Sequence, residues 1–110
     1  MALLATQYPT TQGTVVTYAA ASGGGGDTFV PADNAVLHVK NGGGSSTNVT
    51  LATPSTVDGD LTVQDRVVAV ANGADKFIRI PPAIYRDAST GVGTVTYSVT
   101  TSVTVAVIGL

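Results

Sequence analysis

With 110 residues, no cysteine and only 11% charged residues, the chain has room for one domain and none for disulfides, thiol catalysis or cysteine-ligated zinc. Five basic residues, Lys40, Arg66, Lys76, Arg79 and Arg86, stand against seven aspartates for a net charge of -2. They are scattered, which argues against nucleic acid as a partner, since displacing counterions from a phosphate backbone takes clustered positive charge.

Glu is absent while Thr, Val, Ala and Gly dominate. That mixture disfavours helices and suits a pleated surface, because β-branched side chains are stiff at χ1 and the usual surface helix formers are scarce. Residues 1–12 show no sustained period and read as an extended N-terminal arm. Leu3, Leu4 and Tyr8 would be exposed apolar groups on a free arm and call for a cover, supplied by a partner or by the arm folding back on its own domain. The opening Met1 to Ala5 lacks the basic and long apolar regions of a signal peptide, and no run reaches the length of a membrane span.

Residues 13–110 read as a single β domain. Thr14 to Tyr18 is β-branched and aromatic and predicts a strand, stopping before Gly23 to Gly26. Four consecutive glycines hold no single conformation without outside help. The loop does not match a phosphate-binding P-loop, because Asp27 and Phe29-Val30-Pro31 follow it in place of Lys-Ser/Thr and a helix. Ala35 to Lys40 alternates, placing Leu37 and Val39 on a buried face and His38 and Lys40 on a solvated one. After the Gly42-Gly43-Gly44 loop, Asn48 to Leu51 alternates again, so the two runs predict a hairpin.

A second hairpin is predicted from Asp65 to Ala71, Asn72-Gly73 and Lys76 to Ile80, since Asn-Gly supplies the positive φ values of a tight turn. Val67 to Val70 is apolar on both faces and predicts a central strand. Pro81-Pro82 ends the sheet, as neither residue can donate to a ladder. Ala83-Ile84-Tyr85 then predicts a short turn of 3₁₀ helix carrying an anchor residue. Val92 to Val99 and Ser102 to Leu110 supply the last strands, with Val103, Val105 and Val107 on one face. The pattern of about seven or eight short antiparallel strands with regular turn signals predicts an all-β sandwich or jelly-roll-like barrel.

Chemistry-bearing residues are few. His38 is the single histidine, with no second one to share a metal and no Gly-x-Ser-x-Gly nucleophile motif to serve. Asp58-Gly59-Asp60 with Asp65 is the one acidic cluster; its spacing departs from a calcium loop and reads as a solvated turn. Pro81-Pro82 with Tyr85 departs by one residue from a proline motif, and the Asn48-Val49-Thr50 sequon has no consequence without secretion. The reading is of a non-enzymatic module with no cofactor and no metal.

Asp27-Thr28-Phe29-Val30, the run from Val39 to Ser45 leading to Val49-Thr50-Leu51, Ile80-Pro81-Pro82 with Tyr85, and Val95-Thr96-Tyr97-Ser98 together resemble small all-β head proteins of tailed phages, of the minor capsid or decoration type. The resemblance covers residues 27–110. It implies a structural virion protein on the capsid exterior, bound to the major capsid protein and self-associated as a trimer or ring at capsid symmetry axes, with neither nucleic acid nor membrane as partner. Leu3, Leu4, Tyr8, Ile84 and Tyr85 are the candidate partner-interface residues. The alternatives are a phage tail, fibre or connector module, or a carbohydrate-binding or adhesive sandwich, for which the lack of Trp is a handicap.

Overall fold

Alternation along the two longest extended runs sets the centre of the molecule. In the computed structural model, which describes residues 3–23, 25–54, 56–57, 61–62 and 64–109, these runs are β5 (Ala32–Asn41) and β12 (Val103–Gly109), paired antiparallel from Val103↔Asn41 to Gly109↔Ala35. The remaining strands are β1 (Leu3–Leu4), β2 (Thr6–Gln7), β3 (Ala19–Ala20), β4 (Asp27–Phe29), β6 (Thr47–Leu51), β7 (Thr56–Val57), β8 (Leu61–Thr62), β9 (Arg66–Val70), β10 (Asp75–Ile80) and β11 (Gly93–Tyr97). A single helical turn, α1 (Pro82–Tyr85), precedes β11.

The first sheet has the order β1-β4-β11-β6-β9; the second has the order β10-β5-β12-β2, with β3 also pairing β12. Strands β7 and β8 form a separate two-stranded flap. The two five-stranded sheets make a small β-sandwich, as the strand periodicity predicts. Its core draws on both: Phe29, Val49, Leu51, Val70 and Val95 from the first, Leu37, Val39, Ile80, Val103, Val105 and Val107 from the second, all buried. Among the described residues no helix is long and apolar enough to cross a membrane.

Four local expectations are corrected. The sheets are mixed rather than wholly antiparallel, because β1 runs parallel to β4 and β2 parallel to β12. Within the stretch read as an arm, Leu3 to Gln7 is therefore folded back along one flank of the domain, in one sheet and then the other. Thr14 to Tyr18 is not a strand. The β12 edge it would join is taken by β2 and β3, and the Gln7 side chain meets the Thr17 backbone in their place, accepting from its N–H (2.9 Å) and donating to its carbonyl (2.7 Å).

Neither predicted hairpin forms, since β5 and β10 lie in the second sheet while β6 and β9 lie in the first. At Asn72-Gly73, Gly73 has φ +77° and Asn72 is not left-handed, as in a type II turn closed by Ala74 N–H to the Ala71 carbonyl at 3.0 Å. A type II turn splays its flanking strands, whereas the type I′ turn that Asn-Gly favours in a tight hairpin has positive φ at both central residues. In consequence β9 is an edge strand with Val67 exposed, not the central strand that its apolar run predicts.

Four of the crossings between sheets gather at one end. There the chain passes from β3 to β4, β5 to β6, β9 to β10 and β11 to β12, and buried Asn41 ties two of these links together. Its Nδ2 donates to the Ser45 carbonyl (2.8 Å) and the Val70 carbonyl (3.1 Å), and its Oδ1 accepts from Gly43 N–H (3.0 Å). Its backbone holds the Asn72-Gly73 turn, through Asn41 N–H to the Ala74 carbonyl and Gly73 N–H to the Asn41 carbonyl. Thr47 does the same for the fourth link, its Oγ1 donating to the Val99 carbonyl (2.8 Å) and accepting from Val99 N–H (3.2 Å). Gly26 fixes the first: at φ +78°, an added Cβ would lie 2.0 Å from the Val95 carbonyl oxygen.

Removing the Asn41 amide withdraws a partner from two carbonyls and one N–H, at roughly 1–3 kcal/mol for each group that stays dry. Asn41→Ala is expected to destabilise the fold by about 2–4 kcal/mol. The check is urea denaturation, where the midpoint should fall with little change in slope; a loss below about 0.5 kcal/mol would show that the corner does not depend on this side chain.

Candidate functional site

The most organised polar cluster lies on the outer face of the second sheet. His38, the middle residue of the outward triplet Val36, His38 and Lys40, is registered opposite Phe77 of β10 and Ala106 of β12. The sequence places it in solvent, yet it is only 6% exposed. Phe77 stacks on its ring at 4.0 Å with planes 12° apart, and Tyr18 meets it edge-on at 5.4 Å. The segment preceding β3 thus roofs a face that strand alternation alone would leave wet.

Both ring nitrogens are occupied. His38 Nδ1 lies 2.7 Å from the Tyr18 hydroxyl and Nε2 lies 2.6 Å from Asp75 Oδ2. With the proton on Nε2, the imidazole donates to the carboxylate and accepts from the tyrosine, so one neutral tautomer satisfies all three groups. Lys40 completes the cluster with its Nζ 4.5 Å above the Tyr18 ring, a cation–π contact. A general base needs a nitrogen within reach of a substrate proton. Here both are committed to protein partners and the ring face is stacked, so the arrangement acts as a brace joining the Tyr18 segment to β5 and β10.

The five candidate interface residues do not come together. Leu3, Leu4 and Tyr8 lie on the flank where β1 and β2 edge the two sheets, and Ile84 and Tyr85 lie on the opposite flank beside β9 and β10. Leu4 (5% exposed) and Tyr85 (4%) are core residues. Tyr85 is the anchor of the turn begun by Pro81-Pro82, as predicted, in an α rather than 3₁₀ turn. Leu3, Tyr8 and Ile84 are exposed. The Tyr8 ring lies against Gly109 of β12, where an added Cβ would sit 2.4 Å from it and push the ring aside.

Of the acidic cluster, Asp58-Gly59-Asp60 lies outside the described residues. Asp65 uses its Oδ1 to accept from Thr53 N–H at 2.8 Å. Among the described residues no three His, Cys, Asp or Glu side chains converge as a metal site would require.

One buried polar pair escaped the sequence reading altogether. Asp27 is fully buried, with Oδ2 accepting from the Tyr97 hydroxyl (2.9 Å) and from Ser22 N–H (3.2 Å). It ties the glycine-rich loop to β11. Burial, then the hydrogen bond to Asp27 and the charge of that group, raise the Tyr97 hydroxyl far above the ordinary tyrosine range. The sign of the linkage follows: the unfolded chain ionises near pH 10 while the folded one does not, so the contribution is whole below that pH and is lost as pH rises further. Melting temperature is expected to fall steeply above about pH 10, and Tyr97→Phe should flatten that fall while lowering stability at neutral pH by roughly 1–3 kcal/mol. Parallel melting curves for the two proteins across the alkaline range would contradict the assignment.

Comparison with protein-family models, curated proteins and solved structures returns no match in any of the three.

Proposed function

We propose that the protein is a structural virion component of the capsid-decoration or minor-capsid type, which binds the outside of a major capsid lattice and stabilises the head. The observation that carries the reading is the surface. On a chain with 11% charged residues, Leu3, Tyr8, Val15, Val67, Phe77 and Ile84 are all exposed, on both flanks and on the roof of the second sheet. Apolar groups in such number suit a surface that neighbours cover. The resemblance over residues 27–110 supplies the kind of neighbour.

No chemistry is asked of the protein in this role. A module that binds the assembled shell and not its dissociated subunits stabilises the shell by mass action, to an extent set by affinity and occupancy. A lattice offers many equivalent sites, so each contact can be weak. Self-association at symmetry axes follows the same logic, because closed rings and trimers are the arrangements a symmetric lattice accommodates.

The test is co-sedimentation of the purified protein with expanded shells that lack it. Saturable binding at a fixed ratio to the major capsid subunit is expected, together with a higher shell disruption temperature. Failure to sediment with the shells at any concentration would remove the reading, and saturation at only a handful of copies per particle would favour a tail or connector site.

A further inference from the structure

We propose that the flank between β9 and β10 is a docking groove for an extended, acidic segment of a partner protein, which adds to the sandwich as a further strand. The proposal rests on the reading that the surface is covered by a partner, and it names the segment recognised.

The two flanks of the sandwich are built alike and filled differently. On one, edge strands β4 and β12 are met by Leu3 to Gln7, whose backbone pairs with both in parallel while Leu4 enters the core. On the other, β9 and β10 are the outermost strands of their sheets, and no strand of the described residues pairs with the outer edge of either. An open edge is a template for another strand, with main-chain hydrogen bonds supplying affinity and side-chain pockets supplying selectivity.

Between these edges lies a cavity of about 360 Å³. Val68, Phe77, Ile78 and Ile84 give it apolar walls, and Arg66 and Arg79 both line it. Val68 packs against the core yet stays half-buried, as expected where a covering side chain is missing. The two arginines are a large share of the chain's five basic residues, and neither forms an ion pair among the described residues. The cavity on the N-terminal flank, about 260 Å³ between Leu3, Leu4, Gln7, Thr17 and β12, has no charged lining residue. Charge complementarity therefore directs an acidic strand to β9 and β10. It also argues against the chain's own N-terminal stretch as occupant, since no Asp or Glu precedes Asp27.

The experiment titrates the isotope-labelled protein with a synthetic octapeptide alternating valine and aspartate, and with its valine–lysine counterpart, while following backbone amide shifts. The acidic peptide should give saturable shifts confined to β9, β10 and α1, at least tenfold weaker with R66E/R79E and retained with R66K/R79K, which keeps the charge and controls for folding. The lysine peptide should give none. No shifts, shifts on the N-terminal flank, or equal response to both peptides would overturn the proposal and leave the arginines as charges that guard an edge. Concentration-dependent shifts on the same strands without peptide would overturn it in favour of a second copy. Peptide binding without co-sedimentation would sink the shell reading alone; co-sedimentation without peptide binding would sink the groove alone.

Discussion

A sandwich whose chain repeatedly leaves one sheet for the other must satisfy the backbone groups exposed at each departure, and in this protein that requirement falls on Asn41. Its amide donates to the Ser45 and Val70 carbonyls and accepts from Gly43 N–H. Its own backbone anchors the Asn72-Gly73 turn. Unpaired, these groups would each cost a desolvation penalty comparable to a large share of a small domain's net stability. The end of the molecule rich in glycine is thus fixed by specific bonds, where its composition suggests looseness. Gly43 shows the tightness, since a Cβ there would approach the Thr101 carbonyl oxygen to 2.7 Å.

With four crossings pinned at one end, the flanks and outer faces become the variable surfaces. The N-terminal strands occupy one flank, no strand of the described residues pairs with the outer edges of β9 and β10 on the other, and the Tyr18–His38–Asp75 brace roofs part of the second sheet. The most reactive-looking side chain in the sequence is thereby spent on structure. Outward lie open strand edges and exposed apolar side chains, Val67, Phe77 and Ile84 among them. The proposed binding role draws on the apolar exposure of both flanks.

Periodicity made the core strands legible. Leu37 and Val39, Val95, and Val103, Val105 and Val107 are buried where alternation puts them, because a period of two is a direct consequence of the pleat. Pairing was not legible. Asn-Gly announces a turn but not its type, and the type II-like geometry at Gly73 sends β10 to the other sheet. Strands β1 and β2 are too short to show a period, and their partners are remote in sequence. His38 and Asp27 followed from neither composition nor spacing. Each is covered by residues that register and crossings bring together, Phe77 and Tyr18 in one case and Tyr97 in the other.

The central claim is an asymmetry, one flank paired with the chain's own N-terminal strands and the other without a partner strand among the described residues. Native-state amide hydrogen exchange measures it residue by residue. Protection across Leu3 to Gln7 comparable to that of β4, with the outward amides of β9 and β10 exchanging far faster than those of β5 and β12, is the predicted pattern. Free exchange along the N-terminal segment, or protection of β9 and β10 equal to that of the central strands, would contradict it.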